Sequence, residues 1–311
     1  MVRRAIGYIA ATREWADLDP AARDWTSWWL DAEDVTYTQF MAKDNVPFHT
    51  IMFPAMLMGT GEPWKLADNI KGFSWLTYYG AKFSTSRRYG VLMDAGLQVL
   101  PADYWRYFLV ANAPESDHVD FTWELFAAQV NKDLADTFGN LVNRVLTLTR
   151  RTFGAVVPAG GIPGDAEAHL ADQVGRQLTA DEACLSDLHL RAAARHLKAL
   201  WSLGNVYLER KAPWREVRNS EAAAATTLRT ALNLIYLLGL VSEPVIPSTA
   251  TTVQRLFHGV DHRVRWPTER AVRSLDLLPP GSGFRTPPPL FRKITAEDVA
   301  AWRKRFGTPE L

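Results

Sequence analysis

The feature of this sequence that most constrains its fold is a change of hydrophobic pattern near residue 120. After this point the apolar residues recur every three or four positions, which is the spacing of one face of an α-helix. Three such stripes can be followed, over residues 134–146, 193–208 and 228–238, and glycine or proline lies close to the end of each. The pattern predicts a helix bundle for the C-terminal part of the chain.

The sequence before this change alternates between strand-like and helix-like segments. Residues 35–41 are mainly β-branched and aromatic, which is typical of a strand. Asp44 or Asn45 can then cap a helix, Pro47 suits a first helical turn, and residues 48–56 are apolar at helical spacing. The pattern predicts a strand, a tight turn and a helix, and hence an α/β region followed by an all-α region.

The length of 311 residues favours two domains over one. The change of pattern places the boundary so that one domain covers residues 1–118 and the other covers residues 119–311. With 47% hydrophobic and 22% charged residues, the chain has the composition of a globular protein. The net charge of +1 argues against a uniformly basic nucleic-acid surface, so any RNA site has to be local.

The cysteine content restricts the redox and metal chemistry. A single cysteine excludes an intramolecular disulfide and a metal site made of cysteines alone, and the seven histidines are scattered, so no metal site is expected. The sequence contains neither an apolar segment of signal-peptide type near its start nor a run of eighteen apolar residues. We expect a cytoplasmic protein that has no membrane partner.

Two segments of the α/β region are candidates for chemistry. In α/β sheets, ligands bind where a strand ends and the next helix begins, and Lys43, Asp44, Asn45 and His49 fall at such a junction. The second segment is the loop "KFSTSRRYG" at residues 82–90, which combines basic and hydroxyl side chains. Composition leaves both open: the loop is either a solvated turn or a phosphate-binding loop, and the histidine either a core residue or a ligand.

The predicted bundle offers a third candidate. Thr147 and Arg151 are four residues apart and share a helix face, with Arg144 one turn earlier. Trp214 follows a proline and suits either a half-buried anchor or a platform for stacking a base. These residues are compatible with a solvated helix face as well as with an RNA site.

Taken together, the segments resemble methionyl-tRNA synthetases. These class I enzymes form methionyl-adenylate from methionine and ATP and then charge tRNA. The resemblance covers essentially the whole chain and implies the second half of a class I nucleotide-binding (Rossmann-like) fold followed by a helix-bundle anticodon-binding domain. It rests on seven segments in the family's order: "IGYIAATREW", "AKDNVPFHTIMFPA", "KFSTSRRYGV", "PADYWRYFLV", "DLADTFGNLVNRV", "APW" and "PPPLFRKI".

The resemblance identifies "KFSTS" with the family's KMSKS loop, whose basic side chains hold the ATP triphosphate. Thr85 replaces the second lysine of that motif, and Arg87 or Arg88 could compensate for the lost charge. ATP with Mg²⁺ is the implied cosubstrate, and no zinc site is expected in this chain. The implied catalytic residues are Lys82, Ser84, Thr85 and Ser86, and the implied nucleotide-binding residues are Lys43, Asp44, Lys82 and Arg87.

The resemblance also implies a methionine pocket and an anticodon site. Ala5 and Asn45 depart from the more usual proline and isoleucine, and Thr147 replaces an asparagine that some members use. The implied pocket residues are Ala5, Tyr8, Asn45 and His49, and the implied anticodon-reading residues are Thr147, Arg151 and Trp214.

The sequence contains no counterpart of the family's HIGH-containing half or of its inserted connective domain. Both the missing phosphate contacts and the missing part of the pocket stabilise the transition state, so the chain alone is expected to be nearly inactive. The expected partners are tRNA(Met), methionine and a separate N-terminal synthetase half. Two alternatives stay open: a stand-alone tRNA-binding module, and a synthetase-like paralogue that activates an amino acid for small-molecule biosynthesis.

Overall fold

The computed structural model describes residues 6–84, 89–258 and 266–307. The chain divides into two compact units. The first unit is Met1–Leu76 with Pro114–Val119, and the second is Thr77–Ala113 with Asp120–Leu311. Because these units interleave along the chain, they do not test the domain boundary at residue 118, which stays a prediction.

The first unit is a small mixed α/β structure. Strands β1 and β2 pair in parallel, with Thr38 opposite Asn69 and Ala42 opposite Phe73. The strand, turn and helix predicted from the sequence are confirmed, although the helix opens with a π-helical turn. In chain order the elements are α1 (Gly7–Asp17), α2 (Thr26–Trp29), β1 (Thr38–Ala42), a 3₁₀ turn (Lys43–Asn45), a π-helical turn (Phe48–Met52), α3 (Phe53–Met58) and β2 (Asn69–Phe73).

The second unit begins with a small antiparallel hairpin. Strands β3 (Leu76–Tyr78) and β4 (Ala81–Lys82) form it, and β5 (Val119–Phe121) lies on the other side of β3. Tyr79 and Gly80 make the turn with φ angles of 47° and 77°. Two successive positive φ values define the turn type that matches the twist of a two-residue hairpin.

The rest of the second unit is helical, which confirms the predicted bundle. Proline at 213 and glycine at 154 end helices where the sequence suggested they would. The helices are α4 (Met93–Leu97), α5 (Ala102–Ala111), α6 (Trp123–Val130), a π-helical segment (Asn131–Gly139), α7 (Asn140–Phe153), α8 (Asp165–Ser186), α9 (Leu190–Lys211), α10 (Pro213–Asn219), α11 (Glu221–Val241), α12 (Pro247–Gln254), α13 (Glu269–Ser274) and α14 (Ala296–Phe306).

Helix α11 is the central helix of the bundle. Its residues from 227 to 241 are almost all buried, and the Ser220 hydroxyl caps its first turn by accepting a hydrogen bond of 3.2 Å from the amide of Ala223. Within the described residues, it is the one helix long and apolar enough to cross a bilayer, but 83% of its apolar window is buried inside the protein. Gly239 allows α11 to pack closely on α12, because an added Cβ at this position would lie 3.0 Å from the Val253 side chain.

Buried carboxylates tie neighbouring helices together. Asp103 on α5 accepts hydrogen bonds of 2.6 Å from both the amide and the hydroxyl of Thr249, and so caps the N-terminus of α12. Glu167 on α8 accepts a 2.7 Å hydrogen bond from the hydroxyl of Tyr207 on α9 and lies 3.3 Å from the ammonium of Lys211. Burial by itself acts to raise the pKa of Glu167. The hydrogen bonds and the nearby ammonium outweigh burial, so the pKa lies below its ordinary value.

Asp181 on α8 is a buried carboxylate of a different kind. Its exposed fraction is 2%, and burial raises its pKa to about 7. Below pH 4 the carboxyl is neutral in both the folded and the unfolded chain. Between about pH 4 and pH 7 the unfolded chain loses this proton while the folded chain keeps it, so Asp181 lowers the stability progressively as the pH rises.

We therefore expect Asp181→Asn to remove a pH-dependent loss of stability. The variant should match the parent protein near pH 4 and exceed its free energy of unfolding by roughly 1 kcal/mol or more at pH 8. Urea unfolding at several pH values measures this difference. Glu182→Gln is the matched control, because the neighbouring carboxylate is exposed; an equal gain in both variants would contradict the role of burial.

Candidate functional site

The junction after β1 presents polar groups to solvent. The strand ends at Ala42, and the 3₁₀ turn that follows exposes the side chains of Lys43, Asp44 and Asn45. Gly72 on β2 lies below this turn, where an added Cβ would be 3.2 Å from the Val46 side chain. The junction therefore presents polar side chains to solvent, and β2 packs closely against the residue that follows the turn.

Three of the predicted pocket residues come together beside this turn. His49 lies on the π-helical turn, and its Nδ1 is 2.9 Å from the carbonyl oxygen of Asn45. Its Nε2 is 3.0 Å from the hydroxyl of Tyr8 on α1. A carbonyl can only accept, so Nδ1 carries a proton and donates to Asn45, while the Tyr8 hydroxyl can serve Nε2 as donor or as acceptor.

This network fixes the orientation of the His49 ring. The imidazole is held between a backbone carbonyl and a phenol, and the Tyr8 ring also lies 6.3 Å from the ring of Phe53. π-Helical turns of this kind occur preferentially at functional sites. Ala5, the fourth predicted pocket residue, lies outside the described residues.

The "KFSTSRRYG" loop extends from the β3–β4 hairpin. Lys82 is the last residue of β4, and Ser84 and Tyr89 close the base of the loop through two backbone hydrogen bonds of 2.9 Å. Thr85, Ser86, Arg87 and Arg88 lie outside the described residues. The described part therefore includes the base of the loop, with Lys82 and Ser84 among the predicted phosphate-binding residues.

An aromatic ring packs against the base of the loop. Phe83 lies against Gly90, where an added Cβ would be 2.2 Å from the ring. Gly90 has a φ of 102°, a conformation that favours glycine. Glycine at position 90 thus allows both the backbone turn and the close approach of the Phe83 ring.

The predicted anticodon residues line one cavity in the bundle. Thr147 and Arg151 on α7 face Trp214 on α10 across a cavity of about 250 Å³. Ala212 turns the chain with a φ of 47°, and Pro213 begins α10, which places the indole beside α7. The structure therefore brings together all three residues that the resemblance assigned to the anticodon.

Two further polar residues of this cavity were missed as site residues. The Arg144 guanidinium lies over the Trp214 ring, 5.1 Å from its centroid, and it also forms a 2.7 Å ion pair with Glu209. Asn143 lines the same cavity and lies 3.4 Å from the Thr147 hydroxyl. The helical spacing from residue 144 to residue 151 was a signal for Arg144, but contact with an indole on another helix is not visible in sequence.

Among the residues that the structure describes, no three histidine, cysteine, aspartate or glutamate side chains are grouped closely enough to hold a metal ion. The described site residues belong to three parts of the chain: the junction, the base of the hairpin loop and the bundle cavity. The first lies in the first unit, and the other two lie in the second unit.

Comparison with protein families gives two matches in series. Residues 3–146 match the model described as tRNA synthetases class I (M), and residues 157–310 match the anticodon binding domain of methionyl tRNA ligase. The first match includes the junction and the hairpin loop, and the second includes Trp214.

Curated relatives match nearly the whole chain. The methionine–tRNA ligase of Streptomyces avermitilis is 54% identical over 306 residues, which is 97% of this chain and 53% of the relative. That of a Caulobacter species is 48% identical over 98% of this chain and 54% of the relative. The chain spans about half the length of the curated relatives it matches.

Solved structures have the same fold. The apo form of Mycobacterium tuberculosis methionyl-tRNA synthetase matches with a TM-score of 0.71 at 23% identity, over 83% of this chain and 50% of that chain. The complex of that enzyme with methionyl-adenylate matches with a TM-score of 0.69 at 27% identity, over 82% and 49% of the two chains.

The predicted fold, an α/β region of class I synthetase type followed by a helical anticodon-binding domain, is therefore confirmed. Two family models cover the chain in the expected order, and relatives close to half identical follow it almost from end to end. The chain belongs to the methionyl-tRNA synthetase family and corresponds to the C-terminal portion of its members.

Proposed function

We propose that this chain is the part of a methionine–tRNA ligase that holds the ATP triphosphate, part of the methionine pocket and the anticodon of tRNA(Met). The observation that carries the proposal is the 54% identity to a methionine–tRNA ligase along 97% of the chain. In the proposed reaction a carboxylate oxygen of methionine attacks the α-phosphorus of ATP, and pyrophosphate leaves. The terminal hydroxyl of tRNA then attacks the methionyl carbonyl, and AMP leaves.

The junction cluster is assigned to methionine and to the nucleotide. Tyr8, Asn45 and His49, with Ala5, line the methionine side, and the contacts of His49 to Tyr8 and to the Asn45 carbonyl support a fixed ring there. Lys43 and Asp44 are exposed at the end of the strand, where a carboxylate can accept hydrogen bonds from ribose hydroxyls.

The hairpin loop is assigned to the triphosphate. Lys82, Ser84, Thr85, Ser86 and Arg87 supply cationic and hydroxyl donors, which stabilise the charge that develops on departing pyrophosphate. Mg²⁺ is expected to arrive with ATP, since this ion is bound mostly through substrate phosphates in such sites. The double hydrogen bond between Ser84 and Tyr89 supports a loop with a fixed base.

The bundle cavity is assigned to the anticodon. Its indole offers a face for stacking, Arg151 offers a guanidinium for a base edge or a phosphate, and Thr147 offers a hydroxyl. Arg144 already covers one face of Trp214, and its guanidinium is also ion-paired with Glu209. An incoming base therefore stacks on the other face or displaces Arg144, whose charge is then available to a phosphate.

A separate N-terminal synthetase half is the proposed protein partner. The first unit exposes large apolar side chains around its junction: Ile51 is 67% exposed, Met58 69% and Phe40 54%. A parallel sheet is normally covered on both faces, and here it consists of two strands among the described residues. Together with the half-length match to the relatives, this surface supports a further protein segment that packs on the first unit.

The reconstitution prediction tests the whole proposal. Supplying the portion of the Streptomyces avermitilis ligase that this chain does not match should produce methionine-dependent ATP–pyrophosphate exchange, whereas either part alone should give little. The reason is that the transition-state contacts are divided between the two parts. Exchange that stays absent at every concentration would contradict the proposal.

Two controls sharpen the reconstitution. Lys82→Ala should lower the exchange rate about 100-fold or more, because a cationic donor to the phosphates is lost. Lys293→Ala removes an exposed lysine that pairs with Asp136 in the bundle, and it should leave the rate unchanged. A preference for an amino acid other than methionine would favour the paralogue that serves small-molecule biosynthesis.

The altered loop motif gives a second prediction. Restoring the family's lysine with Thr85→Lys should raise the exchange rate of the reconstituted enzyme by about tenfold or more, because a charge is added where pyrophosphate leaves. Thr252→Lys, at an exposed threonine of α12, adds the same charge elsewhere and serves as the control. No gain from Thr85→Lys would mean that Arg87 or Arg88 already supplies the charge.

Stand-alone tRNA binding is a second candidate function, favoured because the bundle cavity lies entirely within this chain. Trp214→Ala should weaken the binding of tRNA(Met) by about 1 to 3 kcal/mol through lost stacking. Filter binding or fluorescence titration measures the change, and Trp28→Ala, at a half-exposed tryptophan of the first unit, is the control. A loss that persists with a tRNA of altered anticodon would argue against anticodon contact.

A further inference from the structure

The C-terminal helix α14 is hydrogen-bonded to the hairpin that carries the loop. Tyr78, the last residue of β3, is fully buried, and its hydroxyl donates a 2.7 Å hydrogen bond to the carbonyl oxygen of Gly307, just after α14. The same hydroxyl accepts a 3.2 Å hydrogen bond from the indole of Trp123. Burial raises the pKa of Tyr78 to about 12, so the phenol keeps the proton that it donates.

A second set of contacts joins α14 to the turn of the hairpin. Tyr79 donates a 2.6 Å hydrogen bond from its hydroxyl to Glu124, and Arg303 on α14 lies 2.9 Å from the other oxygen of that carboxylate. The Arg303 guanidinium also lies 5.6 Å from the centre of the Tyr79 ring. Tyr79, the turn residue with a strained φ of 47°, is thus held in place by Glu124 and by Arg303 of α14.

Tyr78 also contacts the base of the loop. The hydroxyl of Tyr89 donates a 2.7 Å hydrogen bond to the carbonyl oxygen of Tyr78. The rings of Phe83 and Tyr89 lie 5.7 Å and 5.2 Å from the Tyr78 ring. Both ends of the loop base therefore pack on one buried side chain, whose far end is hydrogen-bonded to the C-terminal segment.

We propose that α14 positions the base of the ATP-binding loop, through Tyr78 and Tyr79. The proposal rests on the proposed function for its consequence in catalysis, but its structural part concerns this chain alone. An isolated two-stranded hairpin is at best marginally stable in water, and β4 has two residues. The hairpin therefore depends on contacts with other elements for its rigidity, and α14 provides some of these contacts.

Tyr78 and Tyr79 are positioning residues in this scheme. Their side chains contact protein groups and so hold the backbone from which Lys82 and Ser84 project. Loosening the loop base weakens the phosphate contacts and leaves the methionine contacts of the first unit unchanged. The expected signature is a higher KM for ATP, or a lower kcat, with an unchanged KM for methionine.

The decisive experiment compares Tyr78→Phe with Tyr104→Phe in the full chain by hydrogen exchange. Tyr104 is a matched control, because its hydroxyl also donates to a carbonyl of the C-terminal segment, that of Arg292, at 3.0 Å. Tyr78→Phe should accelerate exchange of the Ser84 and Tyr89 amides about 2- to 10-fold, the loss expected for one hydrogen bond. Tyr104→Phe should not accelerate these two amides.

A second pair of variants acts from the surface of α14, where folding is not at risk. Arg303→Gln breaks the contacts with Glu124 and Tyr79. Arg305→Gln, on the same helix α14, breaks a contact with Gln98 at the end of α4. Arg303→Gln should accelerate exchange at Ser84 and Tyr89, and Arg305→Gln should not. Equal effects of the two variants, together with equal effects of the two tyrosine variants, would overturn the proposal.

The catalytic arm uses the reconstituted enzyme. Tyr78→Phe should raise the KM for ATP or lower kcat in pyrophosphate exchange by about 2- to 10-fold, while the KM for methionine stays constant. Unchanged ATP kinetics beside accelerated amide exchange would overturn the positioning role in catalysis. If reconstitution gives no activity at all, that failure counts against the proposed function, and the amide exchange still decides whether α14 holds the loop base.

Discussion

Tyr78 and Trp123 lie fully buried next to each other, and the fold around the hairpin loop depends on their contact. Trp123 begins α6 and packs against Trp302 and Phe306 of α14 at 4.9 Å and 5.3 Å between ring centroids. Phe121 of β5 stacks on Tyr78 at 5.9 Å. Strand, helix and C-terminal segment thus share one aromatic cluster, and each ring excludes water from the hydrogen bonds of the next.

The polar links within the bundle follow the same principle. The phenol of Tyr107 donates to Asp133, and that carboxylate is also paired with Lys198. Asp103 accepts hydrogen bonds from Thr249 of α12. Glu167 accepts from Gly164, which precedes its own helix, and from Tyr207 of α9. A buried carboxylate without its partners costs several kcal/mol, so each of these links fixes how neighbouring helices are placed. Helix α9, which contributes Leu208 to the cavity beside Trp214, is held by two of these links, through Lys198 and Tyr207.

Much of the fold could be predicted from the sequence, because it depends on periodic burial. The stripes that begin at Leu134, Ala193 and Leu228 all lie on helices of the bundle, and the change to α/β pattern before them is real. Helix α8 was missed, since the "GIPGDAEA" segment before and inside its first turn has the composition of a connector. The π-helical turns were also missed, because a π turn has no periodicity of its own in so short a segment.

The candidate sites were predictable to a different degree. The residue types at the junction, in the loop and at Trp214 were found by resemblance, but the network of Tyr8, His49 and the Asn45 carbonyl depends on a contact across 41 residues. The contact of Arg144 with Trp214 and that of Tyr78 with Gly307 span still larger separations, 70 and 229 residues. Such pairs are set by how whole elements pack, which local patterns do not encode.

The distribution of buried surface separates the two units in a way that bears on function. Aromatic side chains of the second unit are largely buried and paired, whereas the first unit exposes Phe40, Ile51 and Met58 around its strand end. The large apolar side chains that the described part of the second unit exposes are aliphatic, whereas those of the first unit include aromatic rings. Since the hydrophobic term scales with the apolar area removed from water, covering these exposed aromatic rings would be favourable. The contacts described at the loop base and the residues that line the bundle cavity all belong to the second unit.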